Sequence, residues 1–151
     1  MDINTALNEV LVKLFKNINS IEEQAIRTGD YQDMTTNDMH VIEAIGVREP
    51  KNMTAVARAL SVTTGTLTIA INSLVKKGYV VRVRSEEDRR VVLVSLSPKG
   101  KKAFAHHKRF HEEMIQAITE RLSEEEKVVL AKALGNASEF FNRIKKDSRS
   151  S

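Results

Sequence analysis

The 151-residue sequence predicts a mostly α-helical fold that carries one small β-hairpin. Three observations lead there. Apolar residues recur at spacings of three and four over most of the chain, the period of a helix face. Two short valine-rich runs, Val80–Val83 and Val91–Leu96, read as strands. Residues that start and stop helices also stand where the periodic stretches begin and end.

Ile3, Leu7, Val10, Leu11, Leu14, Phe15, Ile18 and Ile21 make residues 3–26 an amphipathic helix, which Gly29-Asp30 ends. Thr35 then offers an N-cap, with Asp38 three residues on in the manner of a capping box. A short helix follows through Met39, Ile42 and Ile45, and Gly46 sits where a C′ glycine belongs. Glu49-Pro50 is a turn. Thr54 is the expected cap of TAVARAL, which Ser61-Val62 breaks. Thr63 or Thr64 caps the next helix, which runs to Lys77 and stops at Gly78. After the two strands, Ser97-Pro98 is an N-cap with proline at the first helical position. Phe104, Phe110, Met114, Ile115, Ile118 and Leu122 continue that helix. Ser123 and Glu126 form a capping box, with Glu124 and Glu125 at the positive end of the helix dipole. Val129, Leu130, Ala133, Leu134, Phe140, Phe141 and Ile144 line the last helix. The polar tail KKDSRSS is expected to fray.

Net charge is only +4, but it is uneven. Residues 76–102 hold nine Lys or Arg against three acids, a local balance of +6 that leaves −2 for the rest. A basic block on a near-neutral body suits an anionic partner, most often nucleic acid. With no cysteine, disulfides, thiolate metal sites and Cys nucleophiles are excluded. No apolar run approaches the ~18 residues of a membrane span. The start, MDINTALNEV, has no apolar core of a signal peptide, so a cytoplasmic location is expected. There is no glycine-rich phosphate loop, nucleophile elbow or buried carboxylate pair, so no enzyme is expected.

The chemistry concentrates in TAVARALSVTTGTLTIAINSLVKKGYV. Val56, Ala57 and Leu60 form one apolar face; Leu67, Ala70, Ile71 and Leu74 form another. Two short helices joined by a tight turn make a helix-turn-helix, whose second helix enters the DNA major groove. Its other face carries Thr64, Gly65, Thr68, Ile69, Asn72 and Lys76. Hydroxyls and an amide bond base edges or phosphates, and small residues let the backbone approach. In the hairpin, Arg82 and Arg84 share one strand face while Val81 and Val83 take the other. Arg89 lies near the tip. Asp88 is placed to pair with Arg90 and set its angle. A basic hairpin after a recognition helix is a wing, which can put arginine into a narrow A·T minor groove.

Helix-turn-helix, KKGYV, RVRSEEDRRVVLVSLSPKG and a long following helix together resemble the MarR family of winged-helix transcriptional regulators. The D-x-R element is Asp88-Arg89-Arg90, and V-x-L-[ST]-x-x-G is Val94–Gly100. The resemblance implies a winged helix-turn-helix lobe over 34–97. It implies a helical dimerisation region over 1–30 and 98–147, with 148–151 a flexible tail. It also implies a homodimer on a pseudo-palindromic, A·T-rich operator. DNA contacts are then expected from Thr63, Thr64, Gly65, Thr66, Thr68, Asn72, Lys76, Arg82, Arg84, Asp88, Arg89 and Arg90. MHVIEAIG, VTTGTLT, RVRSEEDRRVV and HHKRFHEEM are similar to the FabT-like subgroup, repressors of fatty-acid synthesis genes. That subgroup implies no cofactor and long-chain acyl-acyl carrier protein as corepressor. Residues expected to line the effector site are Ile18, Ile21, Glu22, Met39, Ile42, Phe104, His106, Phe110, Met114 and Ile118. Lys101, Lys102, Lys108 and Arg109 are placed to meet an acidic carrier. The alternative is a regulator of the same family that responds to zinc or to another small ligand. His107 and His111, four apart on one helix face, would bind zinc with His40 and Glu22 or Glu23.

Overall fold

The computed structural model describes residues 2–150. Six helices and three short strands follow in the order α1 (Ile3–Thr28), α2 (Thr36–Ile45), β1 (Lys51–Asn52), α3 (Met53–Leu60), α4 (Thr64–Lys76), β2 (Val80–Arg84), β3 (Val92–Leu96), α5 (Pro98–Thr119) and α6 (Glu124–Ser150). The chain divides into two compact units, one running to Lys108 and the other starting at Arg109. No single helix among the described residues is long and apolar enough to cross a membrane.

The capping boxes expected at Thr35 and Ser123 are in place. Thr35 Oγ1 accepts from the Asp38 N–H at 3.0 Å, and Asp38 returns the bond to the Thr35 N–H. Ser123 and Glu126 repeat the box at the start of α6. Between α3 and α4 the chain bends by 105°. Ser61 makes that corner in the left-handed conformation, φ 57°. Its N–H donates to the Arg58 carbonyl and that of Val62 to the Ala57 carbonyl, a Schellman closure of α3.

Several boundaries differ from the sequence expectation. Lys51 and Asn52 join the sheet as β1, opposite Val94 and Leu93 of β3. Pro50 keeps its predecessor extended, which feeds this strand. The cap of α3 is consequently Asn52, whose side chain accepts from the Ala55 N–H at 2.8 Å, and not Thr54. Val91 belongs to the hairpin tip, its N–H turned to the Asp88 carbonyl, so β3 begins at Val92. The tail expected to fray is helical through Ser150; Ser151 lies outside the described residues. No glycine or proline after Gly135 stops that helix.

The core of the first unit is made by Met39, Ile42 and Ile45 of α2, Val56 of α3, and Leu67, Ile71 and Leu74 of α4. Tyr79, Val94, Ile26 of α1 and Ala103 of α5 complete it. Each such side chain contributes about 1.5–3 kcal/mol on burial. The helix-turn-helix, the sheet and the adjoining ends of α1 and α5 therefore share one core. Most of α1 does not: only Glu22 and Ile26 are buried along its 26 residues. In the second unit, α6 leaves Val128, Val129, Phe140 and Phe141 exposed.

Where α4, the hairpin and α5 meet, Gly100 lies against the Tyr79 backbone. A Cβ on Gly100 would fall 2.1 Å from the Tyr79 carbonyl oxygen and 3.2 Å from Leu96 Cβ. Backbone cannot yield as a flexible side chain can. Gly100→Ala is expected to destabilise the fold by at least about 2 kcal/mol. The urea midpoint at fixed protein concentration measures this, and an unchanged midpoint would show the contact to be unimportant.

Candidate nucleic-acid interface

The recognition helix is α4. Leu67, Ile71 and Leu74 are buried against the core. Thr64, Gly65, Thr66, Thr68, Asn72 and Lys76 are all exposed. The hydroxyls are not equivalent. Thr63 Oγ1 accepts from the Thr66 N–H at 3.1 Å and lies 3.0 Å from the Thr66 hydroxyl, so Thr63 is the helix cap. Thr68 donates to the Thr64 carbonyl at 2.7 Å. That uses its proton but leaves its oxygen free to accept, which suits an amino group on cytosine or adenine.

Asn72 has a partner that sequence spacing did not reveal. Arg82, the middle residue of β2, donates from Nη1 to Asn72 Oδ1. Guanidinium has no acceptor, so the oxygen of Asn72 must face it and the amide nitrogen faces away. The wing therefore fixes the orientation of the polar side chain at the centre of the helix. Arg84 also works within the wing, donating to the Arg89 carbonyl at 2.8 Å.

The tip is ordered by the pair expected from the sequence. Arg90 Nε and Nη2 each donate to an Asp88 carboxylate oxygen at 3.1 Å, a bidentate fork. The Arg90 backbone N–H joins them on Asp88 Oδ1. The guanidinium holds the Asp88 carboxyl below the usual carboxylate range. Arg89 stays exposed. A cleft between α3 and the β3 side of the wing tip is lined by Asn52, Thr54, Arg58 and Arg90, among others. Arg58 was missed in the sequence. Its signal was available, because Thr54 and Arg58 stand one turn apart on the exposed side of α3.

Not every residue of the basic block faces outward. Lys77 Nζ pairs with the buried Asp38 at 3.0 Å. Lys99 donates to the Lys77 carbonyl at 3.0 Å and lies 4.3 Å from the centre of the Tyr79 ring. The Tyr79 hydroxyl donates to Asp33 at 2.6 Å. Burial pushes this phenol above its ordinary range, and the Asp33 bond adds to the effect.

Of the residues expected around an effector, Met39 and Ile42 are sealed in the core. Phe104 is half-buried against it. Ile18 is half-buried, and Ile21 is exposed. His106 is exposed, with its ring 5.5 Å from that of Tyr31. Phe110 and Met114 belong to the second unit, as does His111, whose ring packs edge-on to Phe110. His107 is 3% exposed and Glu22 6%. His107 Nε2 stands 3.2 Å from Glu22 Oε1 and 2.6 Å from Glu43 Oε1. Glu22 was expected from the sequence; Glu43, one turn beyond Met39 on α2, was not. His40 is elsewhere, in a small cleft with Leu60, Val62 and Ala70.

The MarR family model matches residues 32–91, from just before α2 to the wing tip. FabT of Streptococcus pneumoniae, solved in complex with DNA, is 40% identical. That match covers 93% of this chain and 99% of FabT, with a TM-score of 0.88. The chain belongs to the MarR family of DNA-binding transcriptional regulators. The Bacillus subtilis regulator YhjH is 27% identical over 78% of this chain and 69% of its own length. SarZ of Staphylococcus saprophyticus is 39% identical over 46% of this chain and 47% of its own. These relatives are regulators and not enzymes, as the residues suggested.

For a MarR-family chain the Arg82–Asn72 bond makes a sharp prediction. Arg82→Ala and Asn72→Ala are expected to weaken binding to a preferred duplex non-additively, with a coupling of about 1 kcal/mol. A double-mutant cycle by fluorescence anisotropy measures it. Additivity within about 0.5 kcal/mol would show that Arg82 acts independently, as a plain phosphate contact.

Proposed function

We propose that the chain is a homodimeric repressor of fatty-acid synthesis genes, with long-chain acyl-acyl carrier protein as corepressor. The observation that carries this is the match to FabT along nearly the full length of both chains. That protein was solved on DNA. The exposed polar face of α4 and the arginine-bearing wing support the same partner here.

Dimerisation is supported by helices that lack a partner. Leu7, Val10, Leu14 and Phe15 of α1 are exposed. So are Val129, Leu134, Phe140 and Phe141 of α6. Apolar faces of this length need a covering surface, and a second copy supplies one. A two-fold dimer then presents two α4 helices about one helical turn apart, matching a pseudo-palindromic site. Within this reading, Ile18, Ile21 and Phe104 are candidates to line the acyl chain. Exposed Lys101, Lys102 and Lys108 are candidates to face an acidic carrier.

A second reading, control by a divalent metal, has one observation in its favour. The carboxylates of Glu22 and Glu43 converge on Nε2 of the buried His107. Carboxylate and imidazole are a donor set that zinc accepts.

The test is anisotropy on an A·T-rich palindromic duplex from upstream of lipid-synthesis genes. Palmitoyl-carrier protein, unacylated carrier and zinc are titrated separately. Tightening by the acylated carrier alone is the expected result. Tightening by zinc alone would replace it with the metal reading. Without any effector, affinity should fall roughly 10³–10⁵-fold between 50 and 200 mM salt if about 6–10 phosphates are contacted. A flat salt response would remove DNA as the partner.

A further inference from the structure

Ile69 is the most exposed large apolar side chain among the described residues, at 74%. It sits mid-way along α4, between Gly65 one turn before and Asn72 one turn after. Single apolar residues on a surface are ordinary. This one has a neighbour that is harder to explain internally. Gly65 has no positive φ, and a Cβ there would meet nothing nearer than Thr63 Oγ1 at 3.9 Å. Nothing inside the chain requires a glycine in this first helical turn, and alanine is the better helix former. A β-branched isoleucine at an exposed helix position is also a poor choice for helix stability. One face of one helix thus carries two residues unfavourable to the helix, four positions apart. Both make sense against an external surface that comes close at Gly65 and is apolar at Ile69.

The rest of that face is polar and basic, so the surface is an anionic one. In the major groove, the base edges offer hydrogen-bonding groups and a single apolar group, the 5-methyl of thymine. We infer that Ile69 reads a thymine methyl in each half-site, and that Gly65 lets α4 sink far enough for the contact. Resting on the DNA-binding reading above, this names the base that the helix selects without a hydrogen bond. The neighbouring Asn72 amide, fixed by Arg82, is then free to bond an adjacent base edge.

The experiment uses the full chain and the tightest duplex selected from a randomised pool. Each thymine is replaced in turn by deoxyuridine, which removes only the methyl. One symmetric thymine position is expected to cost about fourfold per methyl, the worth of one buried carbon. In Ile69→Ser that position should cost no more than its neighbours. Thermal melting checks that the variant folds. Gly65→Ala supplies an independent arm: unchanged or raised melting temperature, with weaker binding to every duplex. Equal deoxyuridine effects in wild type and Ile69→Ser, or full affinity in Gly65→Ala, would overturn the inference while leaving the repressor reading intact. A pool that yields no preferred duplex would overturn that reading and this one with it.

Discussion

The close approach of Gly100 to the Tyr79 carbonyl fixes the interface geometry. At this point the end of α4, the start of β2, the end of β3 and the start of α5 are tied together. Ser97 does most of the tying. Its N–H donates to the Tyr79 carbonyl, and its hydroxyl donates to the Gly78 carbonyl and accepts from the Gly100 N–H. Gly78, at φ +88°, turns the chain from helix to strand without a Cβ penalty. The wing cannot drift from the recognition helix while this knot holds. The Arg82–Asn72 bond extends the same constraint to the side chains that face outward. Preorganisation of this kind lowers the entropy lost on binding, which raises affinity without any added contact.

The basic block separates into two populations. Lys77 and Lys99 are struts, the first partly buried and the second exposed. The first compensates the buried Asp38, and the second covers Tyr79 and the end of α4. Removing one partner of such a buried pair is far more damaging than losing an exposed one. Lys76, Arg82, Arg84, Arg89, Arg90, Lys101 and Lys102 remain exposed. Asp88 offsets part of their mutual repulsion while steering Arg90. The acids among the wing arginines are thus part of the device: they keep a crowded positive loop in one shape.

Local signals were legible in the sequence, and long-range partners were not. Caps at Thr35, Ser97 and Ser123 depend on residues three positions away, so spacing reveals them. The apolar stripes of α2 and α4 did so too, because a helix period is written in one stretch of chain. The Asp88–Arg90 fork could be anticipated because its members are two apart. By contrast, Lys77 finds Asp38, Lys99 finds Tyr79, and His107 finds Glu43 only after the chain has folded back. Nothing in a basic run says which lysines will be struts. Asn52 was overlooked as a cap because a two-residue strand has too little pattern to be seen. Met39 and Ile42 illustrate the opposite limit: core and ligand-lining residues have the same apolar signature, and only burial separates them.

The buried imidazole of His107 ties three helices to one another. Glu22 comes from α1, Glu43 from α2 and His107 from α5, so three helices meet on one imidazole nitrogen. Glu22 is buried and needs this partner, while the more exposed Glu43 ties α2 to the same imidazole. From its other side, α2 packs on both α3 and α4. Close-packed interiors do not absorb small displacements by compression; they pass them on. A ligand that parts Glu43 from His107, or grips them more tightly, therefore acts on α4 through a single rigid helix. It shifts DNA affinity only by the difference in its own affinity for the two positions of α2. The same logic would hold for either proposed effector. The two proposals differ in which atoms would bear the load: methylenes against Ile18 and Phe104, or charge on Glu22 and Glu43.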